Sequence, residues 1–179
     1  MHRRHQFVLI SALVVTSALG ADSLTPASIE RSIATSGAAA ALSLIYSNRV
    51  RWSGLLAGIA SGEPAWLRVG KKLYRASDAG AAEQIGLAFG EALEHNAGAV
   101  LSIAPRLIGV DVLCGGPDVD DPRFDSYDLA IAAIRRREEA VRQLKESTYE
   151  AKKQECIARL ESDKGEIARF YGHRSADVS

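Results

Sequence analysis

The sequence predicts an all-α fold, a single domain of about six to seven helices, on three observations. Apolar residues recur at i, i+3, i+4 and i+7 along most of the chain. Capping residues and prolines interrupt that pattern at helix-length intervals. No pair of alternating segments reads as two strands that could partner each other. Residues 25–113 are mostly apolar and small, while Arg135 to Arg169 is dense in both signs of charge. The first region reads as most of the core and the second as helices with one solvated face. Either a bundle or a short α-solenoid-like array accommodates this, ending in an antiparallel hairpin over 125–172.

Before the first helix comes a leader. Met1 to Gln6 is short and basic, Phe7 to Val15 is small and apolar throughout, and Ala18 and Gly20 place small residues before a cut after Gly20. That is the layout of a secretory signal peptide over residues 1–20. Its apolar run falls well short of the roughly 20 residues a spanning helix needs. No cysteine opens the chain that follows, so a lipid anchor is not expected. The expectation is a protein released in soluble form to a periplasm or the exterior. The leader holds two of the 22 basic residues and no acidic one, leaving 20 basic against 22 acidic residues, a balance of −2. That is no electrostatic footprint for nucleic acid or for an anionic membrane.

Thr25 and Pro26 read as an N-cap and a first-turn proline, opening one long helix with Ile29, Ile33, Ala40 and Leu44 inward. Ser47 or Asn48 caps the next, where Trp52, Leu55, Leu56 and Ile59 share a face. Pro64 opens a third, striped by Trp66, Val69 and Leu73 and flanked by Leu67 and Tyr74. After the break at Ser77-Asp78-Ala79-Gly80, a fourth helix runs to about His95 with Ile85, Phe89, Ala92 and Leu93 inward. Small or apolar residues on its other sides mark it as central. Gly86 and Gly90, four apart, would let a neighbour approach closely. Asn96-Ala97-Gly98 punctuates again. The stretch 99–113 fits short helices, although Ile108, Val110 and Val112 also alternate as a strand would.

Cys114 to Phe124 is an irregular loop. Asp125 or Ser126 then caps a helix reaching about Glu146, with Tyr127, Ile131, Ile134, Val141 and Leu144 inward. Ser147-Thr148-Tyr149-Glu150 reads as a capping box for the last helix, with Tyr149, Cys156, Leu160, Ile167 and Phe170 inward. Residues 173–179 read as a frayed tail. Two helix–turn–helix units about 34 residues apart, one through Leu56 and Trp66 and one through Phe89 and Leu101, have the spacing of a helical repeat.

Ser77-Asp78-Ala79-Gly80-Ala81, Gly90-Glu91-Ala92-Leu93, Val100-Leu101 and the run Cys114 to Pro122 resemble stretches of uncharacterised exported all-helical bacterial proteins. The resemblance spans much of residues 50–130. It implies a helical fold and export, and it carries over no activity and no site.

The chain's two cysteines, Cys114 and Cys156, are most simply one disulfide in an oxidising compartment. Such a bridge closes a loop of about 42 residues and stabilises by about 4 kcal/mol in the chain-entropy model. Two buried thiols or a redox pair are the alternatives, the latter without a CxxC motif.

Three groups carry candidate chemistry. Asp118, Asp120, Asp121, Asp125 and Asp128 form an acidic loop of the oxygen-rich kind that holds Ca²⁺. Counting an EF-hand from Asp118, however, puts Arg123 and Leu129 where glycine and glutamate belong. Turn and cap chemistry accounts for the same residues. Glu83, Glu91 and Glu94 with His95 share one side of the fourth helix, and Glu83 or Glu91 is the candidate general acid for an enzyme acting on envelope polymers. Against that, Glu91 and His95 are ordinary i, i+4 surface neighbours. Trp52, Trp66 and Tyr74 are candidates for an interaction surface, since such residues anchor interfaces, and equally for the core. No nucleophile elbow, zinc pattern or phosphate loop is present, so no cofactor is expected. The reading favoured is a non-enzymatic interaction protein whose partner is another envelope or secreted protein.

Overall fold

A computed structural model describes residues 24–172, so the expected leader over 1–20 and the tail over 173–179 lie outside the described residues. Among those described, eight α-helices form and no strand. They are α1 (Pro26–Ser36), α2 (Ala38–Tyr46), α3 (Arg49–Ala60), α4 (Pro64–Tyr74), α5 (Ala79–Leu101), α6 (Val110–Leu113), α7 (Tyr127–Arg142) and α8 (Glu150–Phe170). Short 3₁₀ turns at Pro122–Phe124 and Ser147–Tyr149 precede α7 and α8. No helix among the described residues is long and apolar enough to cross a membrane.

The architecture is a bundle around α5, which packs against α3, α4, α6 and α7. A solenoid's units touch only their sequence neighbours, so this arrangement is of the other kind. Ile85, Phe89, Leu93 and Val100 of α5 are fully buried, joined by Leu55 and Ile59 of α3 and Leu73 of α4. Gly86 and Gly90 admit α6 closely. A Cβ on Gly86 would lie 3.0 Å from Val112 Cγ1, and one on Gly90 would lie 3.2 Å from the Leu113 carbonyl oxygen.

Local chemistry sets the helix starts. Thr25 and Ser28 form a reciprocal capping box, Thr25 Oγ1 accepting from Ser28 N at 3.1 Å and Ser28 Oγ accepting from Thr25 N at 3.0 Å. Asn48 and Asp78 cap α3 and α5 through Arg51 N and Ala81 N, each at 3.1 Å. Asn96, at a non-helical φ of −154°, kinks α5. Its Oδ1 accepts from Ala99 N at 3.2 Å, recapping the distal segment, and its Nδ2 donates to the Gly62 carbonyl at 3.0 Å.

Four sequence expectations are corrected. The single long first helix is two, because Gly37 takes a φ of +85°. That break resets the helical phase, so Ala41, Leu42 and Ile45 face inward while Leu44 is exposed. On α4 the inward position belongs to Leu67, with Trp66 only partly buried. Helix α7 ends at Arg142, short of Glu146. The capping box at Ser147 does not form; α8 begins after a 3₁₀ turn without a side-chain cap. Residues 99–113 resolve as the end of α5, a series of turns and the short α6, not as a strand.

Cys114 and Cys156 are bridged, with Cα atoms 5.2 Å apart, and both are fully buried. The bridge joins the end of α6 to α8. Lys152 of α8 adds a second tie, donating to the carbonyls of Leu101 at 2.9 Å and Ala104 at 2.5 Å. A cation there answers the partial negative charge at a helix C-terminus. Helices α7 and α8 meet through charge: Lys164 donates to Glu138 at 2.7 Å, and Arg142 lies 3.5 Å from Glu161.

Candidate functional site

Directly after Cys114 the chain runs through Gly115-Gly116-Pro117-Asp118, a strap held from both sides. Arg137 of α7 donates through Nη1 to the Gly115 carbonyl at 2.6 Å. Asp163 of α8 accepts from Gly116 N at 2.5 Å. A Cβ on Gly116 would lie 3.3 Å from Asp163 Cβ, so glycine suits this close approach. Both holding residues are almost wholly buried, Arg137 at 2% and Asp163 at 4% exposure. Burial pulls the Arg137 guanidinium pKa down, opposed by Glu94 and Glu91. Burial pushes the Asp163 carboxyl up, against the Gly116 N–H and Arg159.

Grooves open on either side of the strap, and Leu87, Gly116, Pro117 and Asp118 line both. The larger, about 860 Å³, lies between α3, α5 and α7. Its floor is apolar, including Leu56, Ala57, Ala88 and Phe124. Its charges are paired. Arg123 grips Glu91 with two hydrogen bonds, 2.9 Å to Oε2 and 2.6 Å to Oε1, and also reaches Asp121 at 2.6 Å. Hydrogen bonding to Glu91, then to Asp121, raises the Arg123 pKa. The same hydrogen bonding with Arg123 lowers that of Asp121. Arg136 Nε donates to Glu94 at 2.7 Å, and Arg137 Nε lies 3.9 Å from the same carboxylate.

The smaller groove, about 740 Å³, lies between the end of α4, α5, α6 and α8. Tyr74, Leu87, Val112, Val119, Ile167 and Phe170 supply its apolar lining. Glu83, Asp111, Asp118 and Glu166 supply exposed carboxylates. Its one lining cation, Arg159, is held 2.9 Å from Asp163 Oδ1.

Several residues singled out by sequence therefore meet. Glu91, Glu94, His95, Asp118 and Asp121 share the larger groove, while Glu83 lies in the smaller one. The acidic loop behaves as turn and cap chemistry: Asp118 accepts from Asp120 N at 3.0 Å, and Asp121 from Arg123 N at 2.9 Å. Among the described residues no three of His, Cys, Asp and Glu gather as a metal site. Trp52 is 8% exposed, with its indole N–H given to Gln84 at 2.6 Å, so it belongs to the core. Trp66 packs over Gly58, where a Cβ would overlap its ring. Tyr74 lines the smaller groove.

Sequence reasoning missed Arg123, Arg136, Arg137 and Asp163. A signal existed for two of them. Arg137 falls on the apolar stripe of α7 between Ile134 and Val141, and Asp163 on that of α8 between Leu160 and Ile167. A charge at an inward position of an amphipathic helix marks a buried polar contact.

Comparison with known proteins finds no family model, no curated protein and no solved structure that matches the chain.

Proposed function

We propose that this chain is an exported binding protein, stapled by its disulfide, that recognises another protein of the cell envelope or the extracellular space through the grooves beside the strap. One observation carries the reading: no carboxyl in either groove is both buried and free. A general acid needs a pKa raised by burial, and a carboxylate pair needs two environments that divide the roles. In the larger groove, Arg123 occupies both oxygens of Glu91 and Arg136 holds Glu94. In the smaller groove, Glu83, Asp111, Asp118 and Glu166 are exposed to water, and Asp163, whose carboxyl burial pushes up, is closed from water at Oδ1 and tied to Gly116 and Arg159. What remains is two concave surfaces with apolar floors and fixed charges, which is the anatomy of recognition. The buried disulfide supports export, since such bridges persist in oxidising compartments.

The test uses the full chain expressed with its leader. A photocrosslinking residue is placed at Ala57, at Val112 or, as control, at Gln154 on the exposed face of α8. A discrete protein adduct from Ala57 or Val112, absent from Gln154, and a mature N-terminus at Ala21 are expected. Hydrolysis of an envelope polymer by the purified protein, abolished by Glu83→Gln or Glu91→Gln, overturns the reading.

A further inference from the structure

We infer that the smaller groove docks a cationic segment of the partner, in which lysine or arginine alternates with apolar side chains; this rests on the binding reading above. The charge is one-sided. Glu83, Asp111 and Glu166 make no ion pair or side-chain hydrogen bond among the described residues, and Asp118 accepts only a backbone N–H. Arg159, the sole lining cation, already faces Asp163. The larger groove shows the contrast, because there arginines answer the acids from within the chain. A row of uncompensated carboxylates repels itself and favours a partner that brings the missing cations.

Charge alone would define only a surface for counter-ions. The exposed apolar side chains of this groove add an apolar requirement. Phe170 is 60% exposed and Val112 44% exposed, and both stand in the groove beside Tyr74 and Ile167. Large apolar side chains left in water inside a concavity mark a contact surface. On the wall, Asp163 Oδ1 is closed from water and ion-paired with Arg159 at 2.9 Å, so the groove's own cation is already engaged within the chain. An extended segment with charged and apolar side chains on opposite sides meets both the rim and the floor.

The experiment titrates the full mature protein with a fluorescent, end-blocked peptide of sequence Lys-Leu-Lys-Phe-Lys. Lys-Ser-Lys-Ser-Lys, Glu-Leu-Glu-Phe-Glu and spermine are the comparison ligands. The first peptide is expected to bind most tightly and to weaken as salt rises from about 50 to about 300 mM. The triple variant Glu83→Gln/Asp111→Asn/Glu166→Gln and the single variant Phe170→Ser should each weaken it by about tenfold or more. Glu139→Gln/Glu146→Gln/Glu155→Gln removes the same charge from exposed positions outside both grooves and should change affinity little. Circular dichroism checks that each variant is folded. Equal weakening by the two triple variants, spermine binding as tight as the apolar peptide, or no peptide binding overturns the inference. Groove adducts without peptide binding overturn it alone and leave the broader reading standing.

Discussion

The two halves of this molecule bury different things. From α1 to α6 the interior is almost wholly apolar, and the side chains with no exposure include Leu55, Ile59, Leu73, Ile85, Phe89 and Leu93. In α7 and α8 the inward faces also carry Arg137, Glu138, Asp163 and Lys164, each 7% exposed or less. The first half is held by area removed from water, which tolerates any shape that fills the space. The second is held partly by charges that must meet their partners, because an unpaired buried charge costs several kcal/mol. The grooves lie along the seam between the halves, where Arg137 and Asp163 hold the strap.

Four changes would sharpen or break this contrast. The largest effect is expected in the apolar half, where Phe89→Ala removes a wholly buried ring beneath Gly70 and should cost about 3–5 kcal/mol in urea unfolding. Next, in the charged half, Lys164→Met leaves Glu138 with Arg142 as its remaining cation. The cost should be about 2 kcal/mol, less than for a buried charge left with no partner. Glu138→Leu combined with Lys164→Met should recover most of that loss. A double variant as weak as the sum of the singles would mean the pair is not acting as a unit.

Acid should separate Glu138 from Asp163. Burial pushes the Glu138 carboxyl up, but the hydrogen-bonded cluster around it, with Lys164 and Arg142 as its donors, outweighs burial and brings it from 4.5 down to about 2. The stability it contributes is complete above about 4.5 and is lost as pH falls towards 2. Asp163 is raised above 3.8, so its ionisation opposes folding and its protonation in acid favours it. Thermal melts from pH 6 to pH 2, each compared with the unaltered chain, should therefore show Glu138→Gln gaining on it as pH falls and Asp163→Asn losing ground (the acid range is about that of carboxylates). Parallel curves for the two variants would contradict the assignment. The smallest effect belongs to Arg123→Ala. Its side chain is 60% exposed, so the loss should be about 0.2–1 kcal/mol and should shrink further in high salt.

The same contrast decides what was legible in the sequence. Apolar periodicity announced α3 and α5 with their inward faces, and Gly86 and Gly90 marked the close approach of α6. A stripe of Leu, Ile and Phe has one way to face. The break at Gly37 was not read, because a single glycine within an otherwise continuous helical pattern does not declare its φ. The heptad-like spacing places Phe170 inward, yet it stands exposed at the end of α8, while its neighbour Tyr171 packs against the core. The candidate site was half legible. Its acids on α5 were visible as a group, but their arginines come from 32 or more positions further along the chain, and only the folded α7 and the 3₁₀ turn bring them across. Pairing between distant charges leaves no periodic trace.

The bridge between Cys114 and Cys156 also makes residues 114–156 a covalent ring. The exposed turn around Asp120 and Pro122 lies on that ring, as does the connection at Lys145 and Glu146. A protease that cuts either place once opens the ring without dividing the molecule. The nicked protein would run at its full mass until a reductant releases the two pieces, so a single cut in the compartment where this chain works would wound it without dismantling it.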